Sequence, residues 1–181
     1  FYPSGHILGS AFVVLEAQEK TILFTSDMGR RNHPLLAPPD SPPLIECDAI
    51  VTESTYGDRL HESASGEFAR EINAAINRGG SVVIPAFAID RTEVILMALR
   101  DLIDKKEIPQ VPIYVDSPMA VAALVEYRKA VREGGVGIRE GIATTWANQD
   151  PFDPGTLTNV TTTEHSKSLN QIHEPHIIIS A

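Results

Sequence analysis

The apolar positions of this chain fall into two rhythms. Residues 11–16, AFVVLE, and 21–25, TILFT, are short, nearly continuous apolar runs. AQEK separates them, and the pair predicts a β-hairpin. Runs without polar alternation predict strands covered on both faces, so the hairpin is expected to lie buried in a layered fold. Residues 33–46 hold five prolines in fourteen positions and predict an extended connection. DAIVTES, 48–54, predicts a third strand that ends in polar residues.

Beyond residue 57 the period lengthens. Phe68, Ile72, Ala75 and Ile76 recur at helical spacing over 65–78, with Gly79 and Gly80 as the stop. SVVIPAF predicts a strand. Asp90 and Glu93 then form a capping-box pattern ahead of a helix whose apolar face is Val94, Ile95, Ala98, Leu99, Leu102 and Ile103. VPIYVDS predicts the next strand, and Ser117 with Pro118 opens another helix. Residues 134–157 carry no clear period. NVTTT predicts a short strand, Thr163 a capped helix to about 172, and HIIISA a buried strand. Alternating strands and helices at this spacing predict a parallel sheet with helices on its faces. Two architectures therefore meet near residues 57–62.

Composition narrows the class. The chain has 181 residues, 43% hydrophobic and 22% charged, which is ordinary for a soluble globular protein. Its apolar runs are too short to span a bilayer, and no secretory signal pattern opens it. A cytoplasmic location is expected. The lone Cys47 allows no internal disulfide and no cysteine zinc cluster. The opening FYPSGH and the closing HIIISA read as cuts through structure, so a piece of a longer protein is expected. A net charge of −9 disfavours generic nucleic-acid binding, although local clusters of Lys and Arg remain compatible with it.

Two polar residues bracket the hairpin. His6 stands twelve residues before the turn near residue 18, and Asp27 nine after it. Folding the hairpin brings both to its open end, where paired strands lie ~4.8 Å apart. An imidazole and a carboxylate at one edge suit a divalent metal, and Glu53 at the end of the third strand could join them as an acid group. Spacing alone does not separate this from ordinary capping or solvated residues. A catalytic zinc site takes at least three protein ligands. His33, His61, His165, His173 and His176 are scattered and read as structural or exposed.

Taken together, GHILGSA, FTSDMGR, ESTYGDR, IPAFAIDRT, VPIYVDSPMA and HIIISA, in this order, closely resemble the metallo-β-lactamase-fold RNases that carry a β-CASP domain. This is the family of the cleavage-and-polyadenylation endonuclease and its bacterial and archaeal relatives, and the likeness runs along nearly the whole chain. It implies an α/β fold: part of a metallo-β-lactamase αββα sandwich (hairpin plus strand) over 1–58, then a parallel, Rossmann-like β-CASP domain over 59–181.

The resemblance implies His6 as a ligand of one of two zinc ions and Asp27 as the carboxylate bridging both. It implies Glu53 as the acidic residue opening the β-CASP region, which in the family works beside a downstream histidine. Single-stranded RNA is the implied partner, with Arg30, Arg59 and Arg91 as candidates to track its backbone. A membrane is not implied, and a homodimer is left open.

Three departures qualify the match. The family usually has Gly where this chain has Asp90, which places an acid beside Arg91. The upstream H-x-H-x-D-H motif and the histidines following the ISASGM-like segment both fall outside residues 1–181. The zinc site in this chain is therefore expected to be incomplete and the isolated chain inactive. A catalytically degenerate RNA-binding scaffold, or a small-molecule hydrolase of the same fold, is the alternative reading. A free-standing nucleotide-binding domain is disfavoured because no Gly-rich phosphate loop follows any strand.

Overall fold

The computed structural model describes residues 1–41, 46–59, 66–135 and 137–181. His61, and Pro42 and Pro43 of the proline-rich run, lie outside them. The chain forms two compact units. One comprises Phe1–Glu62 and Ala130–Thr145, the other Ser63–Lys129 and Trp146–Ala181.

The first unit holds a four-stranded sheet in the order β1-β2-β3-β4: β1 (Tyr2–Pro3), β2 (Ala11–Ala17), β3 (Lys20–Phe24) and β4 (Ala49–Val51). Strands β2 and β3 pair antiparallel from Val13↔Phe24 to Ala17↔Lys20. The two turn residues, Gln18 and Glu19, both have positive φ (50° and 59°), as a two-residue hairpin turn that follows the strand twist requires. Strand β4 returns parallel to β3. Leu35 and Leu36 are buried, and Leu36 bridges Ile138. Arg139 ties the same segment down, donating to the carbonyls of His33 (3.1 Å) and Arg31 (2.8 Å).

The hairpin departs from expectation. Only Phe12 of β2 is buried, Leu15 is 49% exposed, and β4 is exposed throughout. A continuous apolar run marks a strand that can be covered on both faces. It does not supply the covering layer, and the described residues of this unit leave these faces open.

The second unit is a parallel sheet in the order β5-β8-β6-β7, formed by β5 (Val82–Pro85), β6 (Ile113–Asp116), β7 (Leu157–Val160) and β8 (Ile177–Ser180). Helices α1 (Glu67–Asn77), α2 (Arg91–Asp104) and α3 (Pro118–Glu133), a short α4 (Ile142–Thr145) and α5 (Thr163–Ser168) complete the chain. Ile113, Val115, Ile177 and Ile179 are fully or almost fully buried. The registers Ile113↔Ile177 and Val115↔Ile179 put these four on one face of the sheet. Leu96, Leu99, Leu124 and Phe152 are buried with them in this unit. The last strand thus sits inside the sheet, as its apolar run predicts.

One helix start matches the sequence reading and two correct it. Ser117 caps α3 as expected, its Oγ accepting from the Ala120 amide at 3.2 Å. Helix α5 is capped by Thr162 instead of Thr163, through the His165 amide. Helix α2 has no capping box. Asp90 makes no side-chain cap and sits at φ 67°, ψ −51°, and its carboxylate accepts from the Tyr127 hydroxyl at 3.2 Å. The deeply buried residues of α2 are Thr92, Glu93, Leu96 and Leu99, because the left-handed entry at Asp90 fixes which face of the first turn points inward. Neither carboxyl oxygen of Glu93 has a hydrogen-bond partner. Burial pushes its pKa up to about 7 and the Asp90 charge adds to the rise, against the opposing pull of the nearby Glu93 and Asp90 backbone amides and of Arg128.

Candidate functional site

His6 lies in the loop between β1 and β2, and Asp27 in the loop after β3. Their side chains converge, His6 Nε2 standing 3.7 Å from Asp27 Oδ2, with 46% and 67% of the two side chains exposed. A lattice of small residues holds this arrangement. Ser10 Oγ accepts from the amides of His6 (3.0 Å) and Ile7 (3.1 Å) and lies 2.9 Å from the Ser4 hydroxyl oxygen. The Ser4 hydroxyl donates to the Asp27 carbonyl at 3.0 Å, and the Ser4 carbonyl accepts from the Gly29 amide at 2.8 Å. One hydroxyl group thus folds the histidine loop, and a second ties it to the aspartate loop.

Gly29 is required for a packing reason. A Cβ there would stand 1.8 Å from the Gly5 carbonyl oxygen, so the two loops touch backbone to backbone. Gly5 itself has φ +65° and rests against the backbone of Ala37 and Pro39. Ser26 adopts a positive φ of 52° just ahead of Asp27, a conformation that non-glycine residues keep only where their surroundings impose it.

Glu53 follows β4 in the same unit. Its carboxylate is held below the usual range by the Thr55 hydroxyl, then by the amides of Thr55 and Met28, with His6 adding a smaller favourable charge. The Thr55 amide donates to Oε2 at 3.3 Å. Met28 directly follows Asp27, so the Met28 amide brings Glu53 near the loop that carries Asp27. The chemistry on offer is an imidazole nitrogen and a carboxylate oxygen facing one opening, with the Glu53 carboxylate, held below its usual range, in the same unit.

Among the described residues, no group of three or more His, Cys, Asp or Glu is gathered to hold a metal ion by itself. The donor set of His6 and Asp27 suits zinc by type, as part of a larger set of ligands. His33 and His176 have structural roles. His33 is buried, and its Nδ1 accepts from the amides of Leu35 (3.1 Å) and Leu36 (2.9 Å). His176 is buried against Ser81 and the edge of Tyr114. Of the three arginines, Arg59 lies 3.8 Å from Asp58, while Arg30 and Arg91 are exposed. Among the described residues, no helix is long and apolar enough to cross a membrane.

Sequence reasoning found the three acid and imidazole groups but not Ser4, Ser10 and Gly29, which place them. The signal is the small-residue framing in SGHILGS and SDMGR, because close loop contact requires small side chains there.

Residues 92–181 match the Beta-Casp domain family. The chain is 36% identical over 183 residues to Ribonuclease TTHA0252 of Thermus thermophilus, an alignment covering 99% of this chain and 41% of that protein. It is 38% identical over 130 residues to an RNase J-like protein of Methanocaldococcus jannaschii, covering 69% of this chain and 31% of the relative. It is 28% identical over 172 residues to Cleavage and polyadenylation specificity factor 73 of Drosophila melanogaster, covering 93% and 24%. The chain spans less than half the length of each of these relatives.

Proposed function

Because the chain belongs to the β-CASP family of metallo-β-lactamase-fold ribonucleases, we propose that it is the portion of a zinc-dependent ribonuclease that hydrolyses phosphodiester bonds in single-stranded RNA. The observation that carries this reading is the His6–Asp27 apposition at 3.7 Å, on loops locked by Ser4, Ser10 and Gly29.

The two side chains fit a zinc centre as partial ligands: His6 would hold the metal through Nε2 and Asp27 through its carboxylate. Bound zinc would supply Lewis acidity at the scissile phosphate and a lowered pKa for an attacking water. Asp27 would place its carboxylate at the opening, beside the metal it helps to hold. His6 holds its ring where the Ser10 hydroxyl fixes its loop. Glu53, kept ionised by Thr55 and Met28, orients the acid that protonates the leaving oxygen. Further ligands come from a longer chain, so this chain alone is inactive, and the full-length protein works in the cytoplasm.

Two measurements test the reading. Calorimetric titration of zinc into this chain is expected to show no nanomolar two-site binding. The full-length protein with zinc is expected to degrade a 5′-labelled single-stranded RNA. Asp27→Asn should lower its rate by about a hundredfold or more, the scale of losing a transition-state electrostatic contact. Intact RNA after incubation with the zinc-loaded full-length protein would overturn the proposal.

A further inference from the structure

Phe87 is 81% exposed on the loop that follows β5. A single exposed apolar side chain is ordinary, but this one is mounted rigidly. The Phe87 carbonyl accepts from the Thr92 hydroxyl at 3.0 Å, and Thr92 is itself fully buried in the first turn of α2. The Ala86 amide donates to the Ser180 carbonyl at 2.9 Å, which extends the sheet pairing up to the loop. The Arg91 amide donates to the Ile89 carbonyl at 2.9 Å across Asp90, closing a tight γ-turn. The loop is therefore clamped at three points while its aromatic ring faces solvent.

Position and charge indicate what the ring meets. The loop lies beyond the carboxyl end of a parallel strand, the edge at which open α/β sheets take their ligands. Met119, 64% exposed at the start of α3, occupies the same edge after β6. In the order β5-β8-β6, the two strands are two positions apart, roughly 10 Å. Arg91, exposed at the first position of α2, lies four residues after Phe87. The neighbouring acids do not cancel its charge from outside. The Asp90 carboxylate is turned onto the Tyr127 hydroxyl, and Glu93 is buried within the unit.

An exposed flat ring, a second apolar side chain along one edge and an outward cation make up a stacking platform with a phosphate contact. Such a platform takes the bases of a single strand without needing sequence readout. We propose that Phe87 and Arg91 form a base-stacking and phosphate-binding subsite for single-stranded RNA on the β-CASP sheet edge. This deepens the ribonuclease reading and rests on it.

The test measures binding of the protein, with EDTA present to prevent cleavage, to a single-stranded oligouridylate and to an abasic oligomer of equal length. Phe87→Ala should weaken oligouridylate binding roughly 5- to 100-fold and leave the abasic oligomer unaffected. Phe87→Trp should retain affinity, and its fluorescence should be quenched by oligouridylate but not by the abasic strand. Arg91→Ala should weaken both ligands and reduce the salt slope by about 0.7. Oligouridylate binding that is equal in wild type and Phe87→Ala, or a Phe87→Trp fluorescence signal blind to the bases, overturns the subsite and leaves the nuclease reading standing. If wild type binds no RNA and the zinc-loaded full-length protein cleaves none, both fail together. Should Phe87→Ala not fold, the tryptophan arm decides the question.

Discussion

Replacing Gly29 with alanine tests how the His6 and Asp27 loops are held together. The added Cβ would sit 1.8 Å from the Gly5 carbonyl oxygen and 2.6 Å from the His6 amide nitrogen, where ordinary contact begins at 3.4 Å. The loops must separate by 1.6 Å, the difference between 3.4 and 1.8 Å. A shift of that size stretches the 2.8 Å Gly29–Ser4 bond well past hydrogen-bond range. It also strains the 3.0 Å contact from Ser4 to the Asp27 carbonyl. Two such bonds contribute about 0.5–1.5 kcal/mol each, and forced overpacking costs about 1–3 kcal/mol, so a loss of about 2–6 kcal/mol is expected. Gly9→Ala is the control. Gly9 has φ +83° and no neighbour within 4 Å, so its replacement carries only the left-handed backbone term of about 1–2 kcal/mol. Urea unfolding of both variants, compared at equal slope, measures the difference. In the full-length protein, Gly29→Ala should also lose RNA cleavage while Gly9→Ala keeps it. A Gly29→Ala protein no less stable than Gly9→Ala would refute the claim that backbone contact between the two loops builds the site.

Glu93 should make stability depend on pH with an unusual sign. Its folded pKa of about 7 stands above the ordinary 4.5, so the folded state holds the extra proton between these values and stability falls as pH rises through that window, by about 3 kcal/mol in all. Glu93→Gln should remove this slope, and parallel denaturation profiles of variant and wild type from pH 5 to 8 would exclude it. His33→Ala strips the acceptor from two buried amides, those of Leu35 and Leu36. It should lower stability by about 2–4 kcal/mol without changing zinc affinity, whereas a selective loss of metal binding would make His33 a ligand.

The elements legible in the sequence are those whose cause is local. HIIISA reads as an interior strand because a short β-branched run needs cover on both faces, and β8 lies between β5 and β6. Ser117-Pro118 reads as a helix start because the hydroxyl and the fixed proline φ act within one turn. What the sequence hides is set by distant partners. Residues 130–145 join the first unit through the Leu36↔Ile138 bridge and Arg139. No period announces this, since the pairing depends on residues about a hundred positions away. For Ser4 and Ser10 the small-residue framing marks close-packed loops, but only the folded loops show which amides the two hydroxyls reach.

Asp90 shows how a departure from a family pattern can be read physically. By sequence it is either a helix cap or an acid that spoils the neighbouring arginine. In the structure it holds the N-cap position of α2 without a side-chain cap, and its carboxylate accepts from the Tyr127 hydroxyl. The backbone there takes φ 67°, ψ −51° and closes an i→i+2 bond from Arg91 to Ile89, a geometry suited to glycine and strained for any residue with a Cβ. The Tyr127 hydroxyl donates to the Asp90 carboxylate and helps to hold the turn. Glycine, which takes this backbone freely, and the aspartate here are two solutions to one constraint, a sharp reversal between β5 and α2 beside which Phe87 and Arg91 are exposed. What this position has to preserve is a backbone conformation, and the side chain can change so long as something holds that turn.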